Sequence, residues 1–235
     1  MKPFNIDERW VYENVIYWTD EILINLSYLN YFYKKETGMI LDIGGGYAPF
    51  SKITNLTNYT YILVDPNNYK LNLAPNNIIK INGYAENIPV DNESVDIILT
   101  SSCLQYIDQN VFFFECQRIL KEGGIIAIHE NGPYNPLIII ARIIQRFIGL
   151  FNKQHWEYRN TILEYYKFRE IEGFEILRYS QTGFITPIFL YMQILNFKYP
   201  KSLFNFITSI DNYLLKKIPF LKKMTFLNSV IYRKI

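Results

Sequence analysis

The chain has 235 residues, room for one ordinary domain at about 100 to 200 residues per domain. Apolar residues make up 49% and charged residues 20%, enough to bury a sizeable core and too apolar for intrinsic disorder. The net charge of +2 hides an asymmetry: up to Glu130 there are 9 basic and 16 acidic residues (−7), and beyond it 15 basic and 6 acidic (+9).

The N-terminus, MKPFNIDERW, meets Asp7 and Glu8 before any apolar stretch, so no signal peptide is expected. Residues 7 to 36 then carry Trp10, Val11, Val15, Trp18, Ile22, Leu26 and Leu29 at roughly helical spacing. Acids lie near the start and Lys34 and Lys35 near the end, as the helix dipole favours. Gly38 stops this helix. A short strand, Met39 to Ile43, runs into Gly44, Gly45 and Gly46, and a helical segment is expected from Tyr47. Further strands are expected at Tyr59 to Val64, Ile78 to Ile81, Val95 to Leu99 and Ile125 to Ile128, with a helix at Val111 to Leu120. Such short apolar runs alternating with helices describe an α/β fold with a parallel sheet buried on both faces. After Glu130 come a basic amphipathic stretch, Leu137 to Phe151, a helix at Asn160 to Glu172 and a strand at Phe174 to Tyr179. Lysine-bearing helices and a last strand, Leu227 to Arg233, follow. The longest uncharged run, Tyr179 to Phe197, is broken by Gly183 and Pro187, so no transmembrane helix is expected.

Two cysteines, Cys103 and Cys116, exclude a disulfide framework and a Cys-x-x-Cys metal centre and suit a reducing cytoplasm. The strongest chemical signal is Leu41-Asp42-Ile43-Gly44-Gly45-Gly46-Tyr47-Ala48, where a strand meets a helix. Glycines there open backbone angles closed to other residues and let a ligand approach the main chain. A dinucleotide fingerprint would need its third glycine at Pro49, so that reading fails. Asp65 ends the next strand, nineteen residues beyond Gly46, where its carboxylate would lie beside the glycine turn and bond both hydroxyls of a ribose. Taken alone, Asp65-Pro66 would merely start a turn.

These residues, with GYAENIPVDNESVDIILTSSCLQYI and ECQRILKEGGIIAIHE in order behind them, resemble the class I S-adenosylmethionine-dependent methyltransferases, specifically the type 11 group. The resemblance implies a Rossmann-like fold with a mostly parallel seven-stranded sheet, helices on both faces, an antiparallel last strand and a C-terminal helical insertion acting as lid. One domain is expected: 1–38 a helical cap, 39–130 the cofactor-binding core, 131–235 the acceptor side. The resemblance implies that S-adenosylmethionine is held by Asp42, Gly44, Gly45 and Gly46 at its methionine and ribose part and by Asp65 at the ribose. Ala85 and Glu86 would flank the adenine, and Ser101 and Ser102 would lie near the sulfonium. Tyr84 departs from the pattern, standing where the family commonly carries an acid. HENGPYNPL, NTILEYYKFREIEGFEI and the C-terminal LLKKIPFLKKMTFLNSVIYRKI also resemble methyltransferases of surface-glycan gene clusters.

Methyl transfer needs alignment with the acceptor more than proton chemistry, and a base only for a hydroxyl or similar acceptor. Candidates for that base are His129 and Glu130, which close the fifth strand, and His155, in an aromatic polar loop. Glu130 capping a turn and His129 with satisfied ring nitrogens are the plainer alternatives. Asn131, Asn135 and Tyr106 are further lining candidates, though turns explain the asparagines as well. The expected function is O-methylation of a sugar or glycan precursor. The alternatives are methylation of a small apolar acceptor such as a quinone, or a cofactor-binding partner subunit without turnover. Residues 180–235 hold eight basic residues and one acid, Asp211, which suits a peripheral contact with an anionic membrane. Nucleic acid is the weaker reading, since no recognisable RNA-binding module is present. The expected location is cytoplasmic, with peripheral membrane contact allowed, and the oligomeric state is open.

Overall fold

A computed structural model describes residues 32–33, 35–52, 58–132, 134–147, 171–194 and 197–235. The helix expected over 7 to 36 lies almost wholly outside these residues, as does most of the helix expected at Asn160 to Glu172. Two compact units divide the described chain. One collects residues within Ile22–Glu130, Glu164–Tyr179 and Ser229–Ile235, the other residues within Asn131–Leu163 and Ser180–Asn228.

The seven strands are β1 (Gly38–Ile43), β2 (Tyr59–Asp65), β3 (Ile79–Asn82), β4 (Val95–Ser101), β5 (Leu120–Asn131), β6 (Phe174–Thr182) and β7 (Leu227–Lys234). They form one sheet in the order β3-β2-β1-β4-β5-β7-β6. Strands β3, β2, β1, β4 and β5 are mutually parallel. Strand β7 runs opposite to β5: Phe226 O, just before β7, accepts the Gly132 N–H just past the end of β5, and Lys234 Nζ at the end of β7 donates to Leu120 O at the start of β5. Strand β7 is also antiparallel to β6. The N–H of Ile235 at its end donates to Gly173 O (3.0 Å) before β6 begins, and the N–H of Phe226 at its start donates to Gly183 O (2.8 Å) after β6 ends. The sheet is therefore mixed and mostly parallel, a Rossmann-like class I methyltransferase arrangement.

The strands form where the expected apolar runs lie. Ile40–Ile43, Tyr61–Val64 and all of β4 are buried, as strands covered on both faces must be. Among the described residues, five helices accompany them: α1 (Asn68–Leu73), α2 (Gln109–Ile119), α3 (Pro136–Phe147), α4 (Ile188–Ile194) and α5 (Lys201–Lys217). Helix α2 starts where the Asp108 carboxylate accepts the N–H groups of Asn110 and Val111, and its buried Phe112, Phe113, Cys116 and Ile119 face the sheet. Phe113 meets Phe174 and Tyr232 edge to face, with centroids 6.2 and 6.1 Å away, which seats α2 on β6 and β7.

Asp96, in the middle strand β4, ties the N-terminal edge of the sheet together. Its carboxylate accepts bonds from Tyr33 OH (2.6 Å), Met39 N–H (2.9 Å), Lys121 Nζ (2.6 Å) and Lys35 Nζ (3.1 Å). Burial alone would raise this acid. The bonds, that from Lys121 foremost, outweigh it and hold Asp96 down at about 2.

Candidate active site

Strand β1 lies between β2 and β4, so the chain departs from β1 in one direction and returns on its other side. Open α/β sheets leave a crevice at that reversal, outside the C-terminal ends of the strands. Register sets Asp42 beside Leu63 of β2 and Leu99 of β4, so it is the last inward acid before the strand gives way to the glycines.

The bend needs its glycines. Gly44 and Gly46 take φ of 69° and 56°, the left-handed region. Gly44 N–H donates to Val64 O (2.8 Å), and a Cβ on Gly44 would stand 2.7 Å from the Cβ of Cys103. A Cβ on Gly45 would run into the carboxylate of Asp42. Beyond the bend the structure forms a 3₁₀ turn, Pro49–Lys52, in place of the helix expected from Tyr47, with residues 53–57 outside the described set. Ala48 (φ 53°) and Ser102 (φ 55°) also adopt left-handed backbone, a conformation that costs a non-glycine residue about 1–2 kcal/mol.

Two carboxylates flank this bend. Asp42 is fully buried. Its Oδ2 accepts Tyr61 OH at 2.7 Å, while Oδ1 has no partner among the described groups. Burial pushes Asp42 up to about 7, helped by the charge of Asp65 and opposed by the Tyr61 bond. Asp65 Oδ2 accepts the N–H of Gly46 (3.0 Å) and Oδ1 that of Asn67 (2.8 Å). Each carboxylate oxygen has a second lone pair, so Asp65 can still accept hydroxyl bonds while it is braced by the backbone.

The end of β4 forms the opposite wall. Ser101 is buried, and its Oγ has no partner among the described groups. Ser102 N–H donates to His129 O at 2.8 Å. Thr100 Oγ1 and Cys103 Sγ stand 2.6 Å apart, and burial pushes the Cys103 thiol well above its ordinary range. Glu130 Oε1 accepts the N–H groups of Cys103 (2.8 Å) and Leu104 (2.9 Å), so it caps the turn after β4. Burial raises Glu130 to about 8 against those two bonds. His129 is buried with Nδ1 2.9 Å from Ser229 Oγ. Burial first, and then the charge of Arg178, lower it to about 4, which leaves a neutral imidazole at neutral pH.

The remaining expected site residues are scattered in role. Ala85 is buried in the apolar core, and Glu86 Oε1 accepts Asp108 N–H (3.1 Å) at the start of α2. Tyr84 is largely exposed. His155 lies outside the described residues. Asn135, expected as a lining group, is instead fully buried: its amide donates to Gly183, Phe184 and Met224 carbonyls at 2.9–3.0 Å and its Oδ1 accepts Ile138 N–H. Its side chain is spent on holding backbone.

Several site residues escape sequence reasoning. Tyr61 reaches Asp42 from two places down β2, a contact visible only once β1 and β2 are in register. Asn67 caps the unforeseen helix α1 by accepting the N–H groups of Tyr69 and Lys70, and so fixes the loop that carries Asp65. Lys70 from the same helix lies over the Tyr47 ring, Nζ 5.6 Å from its centroid. The Asn67-Asn68 pair after Pro66 is the available capping signal.

Acid groups around a glycine bend suit a ligand with cationic centres and hydroxyls, and would repel the pyrophosphate of a dinucleotide. S-adenosylmethionine, with a sulfonium, an ammonium and a ribose, fits that donor set. The orphaned Asp42 Oδ1 and Ser101 Oγ, both buried, are the kind of atoms a polar ligand satisfies. A family model described as a methyltransferase domain matches residues 41–128, which hold the whole bend, both acids and the end of β4. Residues 41–128 are a class I S-adenosylmethionine-dependent methyltransferase domain. Its cofactor is S-adenosylmethionine, and its fold is that of a catalytic methyltransferase.

The methyltransferase domain has a curated relative in Mycobacterium leprae, a phthiotriol/phenolphthiotriol dimycocerosates methyltransferase, 27% identical over 127 residues. The alignment covers 47% of this chain and 46% of that protein, so it spans about half of the relative's length. Among solved structures, geranyl diphosphate methyltransferase in complex with S-adenosylmethionine is similar at a TM-score of 0.58 and 10% identity, over 91% of this chain and 85% of that one. Geranyl diphosphate C-methyltransferase from Streptomyces coelicolor A3(2), in complex with Mg²⁺, geranyl diphosphate and S-adenosyl-L-homocysteine, is similar at 0.57 and 12% identity, over 90% and 78%. These two likenesses concern the fold.

Proposed function

We propose that the protein transfers the methyl group of S-adenosylmethionine to a small apolar acceptor. The observation that carries the cofactor half is the braced pair of acids: Asp65 fixed by the N–H groups of Gly46 and Asn67, and Asp42 packed against Gly45 with one oxygen unmatched. Asp65 would accept the ribose hydroxyls. Asp42 and the backbone of Gly44, Gly45 and Gly46 would hold the methionine end, Ala85 and Glu86 the adenine side, and Ser101 and Ser102 the neighbourhood of the sulfonium.

When bound, the cofactor supplies a methyl group already activated by the positive sulfur. The chain's task is then to align the acceptor and exclude water. No strong base is needed from His129 or Glu130, and both are committed elsewhere: His129 to Ser229, and Glu130 to the turn that carries Cys103 and Leu104. We assign them positioning roles.

An apolar acceptor is favoured over the sugar or glycan hydroxyl for a related reason. Of the polar groups that a sugar would use in the HENGPYNPL stretch, Asn135 is spent on backbone and Glu130 Oε1 already accepts two N–H groups. The mycobacterial relative, named for dimycocerosates, also supports an apolar acceptor. The test is transfer of labelled methyl from S-adenosylmethionine to cell extract partitioned between organic and aqueous phases. Label in the organic phase is expected. Label confined to the aqueous glycan fraction would return the acceptor to sugars, and cofactor binding with no label in either phase would favour a partner subunit without turnover.

A further inference from the structure

The basic C-terminal segment is not explained by methyl transfer. In the unit that contains it, α5 ends at Lys216 and Lys217, and the chain continues through Ile218, Pro219, Phe220 and Leu221 to Lys222 and Lys223. The 3₁₀ turn Pro219–Met224 holds this stretch, and none of its residues is buried. Phe220 is 65% exposed and Ile218 46%. All four lysines are exposed, and Lys217 Nζ lies 5.9 Å from the centroid of the exposed Tyr213 ring.

Among the described residues, no acid pairs with these four lysines. From Phe197 to the C-terminus the only acidic residue is Asp211, and it is 1% exposed. Its carboxylate faces inward, accepting the N–H groups of Phe184, Ile185 and Thr186 and the hydroxyl of Thr186 at 2.9–3.1 Å. The surface is thus an apolar tip between two lysine pairs, with no competing carboxylate among its exposed residues.

Lysines at a helix C-terminus satisfy the helix dipole, which accounts for Lys216 and Lys217. It does not account for Lys222 and Lys223, which lie within the short 3₁₀ turn, nor for a phenylalanine left in water between the pairs. We propose that this turn is a docking surface for an anionic lipid bilayer: Ile218 and Phe220 enter the headgroup boundary, and Lys216, Lys217, Lys222 and Lys223 meet lipid phosphates. An exposed apolar tip flanked by cations is what an interfacial contact requires. A nucleic acid backbone would satisfy the lysines and leave Ile218 with nothing to contact.

Co-sedimentation of the full chain with vesicles tests this directly. Binding to phosphatidylcholine vesicles containing phosphatidylglycerol is expected, with little binding to phosphatidylcholine alone and a steep decline as salt is raised. Each lysine near the surface contributes roughly a fivefold gain in partitioning. Changing all four, Lys216→Gln, Lys217→Gln, Lys222→Gln and Lys223→Gln, should therefore remove binding, while the four Lys→Arg changes keep it. Phe220→Ser should weaken binding without altering its salt dependence, and thermal unfolding of each variant checks that the fold survives. No binding to anionic vesicles, equal binding to neutral ones, or unchanged binding by the glutamine variant would overturn the proposal. So would tight binding to single-stranded RNA with none to vesicles.

Discussion

Glu130→Gln should make the protein less sensitive to alkaline pH while barely changing it near pH 5. Burial raises Glu130 from 4.5 to about 8, with the N–H bonds from Leu104 and Cys103 opposing. A carboxyl whose folded value is raised keeps a proton that the unfolded chain has lost. Its contribution is full below about 4.5 and drains away as pH rises through about 8. Each pH unit in that window is worth at most about 1.4 kcal/mol, so the step from pH 6 to pH 8 should cost the parent protein about 2 kcal/mol through this group. The amide oxygen of the substituted side chain can accept the same two N–H groups, but the amide cannot ionise. Urea unfolding of both proteins at pH 6 and pH 8 is the assay. The parent should lose stability across the interval, Asp42 adding to the loss as it passes about 7, and the variant should lose about 2 kcal/mol less. Equal losses in the two proteins would refute a buried, proton-holding Glu130.

Asp65→Ala removes the acceptor proposed for the ribose, and a hydrogen bond to a charged group is worth about 1.5–3 kcal/mol. Affinity for S-adenosylmethionine should fall by about 10- to 150-fold in calorimetry, while the circular dichroism spectrum stays that of the parent. Gly44→Ala forces a Cβ to 2.7 Å from that of Cys103 at a left-handed φ, so thermal and urea unfolding should show a loss of about 2–5 kcal/mol. Asp211→Ala strands three N–H groups, at about 1–3 kcal/mol each when buried, and should sharply raise proteolysis between residues 183 and 187.

The parallel core is legible because each of its strands is a short, nearly unbroken apolar run. Tyr59–Asp65 and Val95–Ser101 differ from expectation by one or two residues, at the ends where burial persists past the hydrophobic letters into Asp65, Thr100 and Ser101. Helix α1 escapes a reading by pattern because six residues, NYKLNL, contain only two aliphatic side chains and bury one, Leu71. Its cap is what holds it. Strand β5 begins at Leu120, before the glycines at its expected entrance, since an irregular register between Val95 and Ile97 lets the chain pair through that turn. At the site, the glycine bend and Asp65 can be read from spacing. Most of the bonds that decide what His129, Glu130 and Asn135 do join residues 26 to 100 positions apart, and no local pattern reports them. Asparagine and glutamate have the same letters whether they face a ligand or brace a turn.

The most direct measurement is calorimetric titration of the full chain with S-adenosylmethionine, with a nicotinamide dinucleotide as control. Saturable binding of the sulfonium compound, none of the dinucleotide, and a marked loss on Asp65→Ala are the expected results. A flat titration at about 1 mM cofactor, equivalent to less than about 4 kcal/mol of binding, would contradict the account at its root.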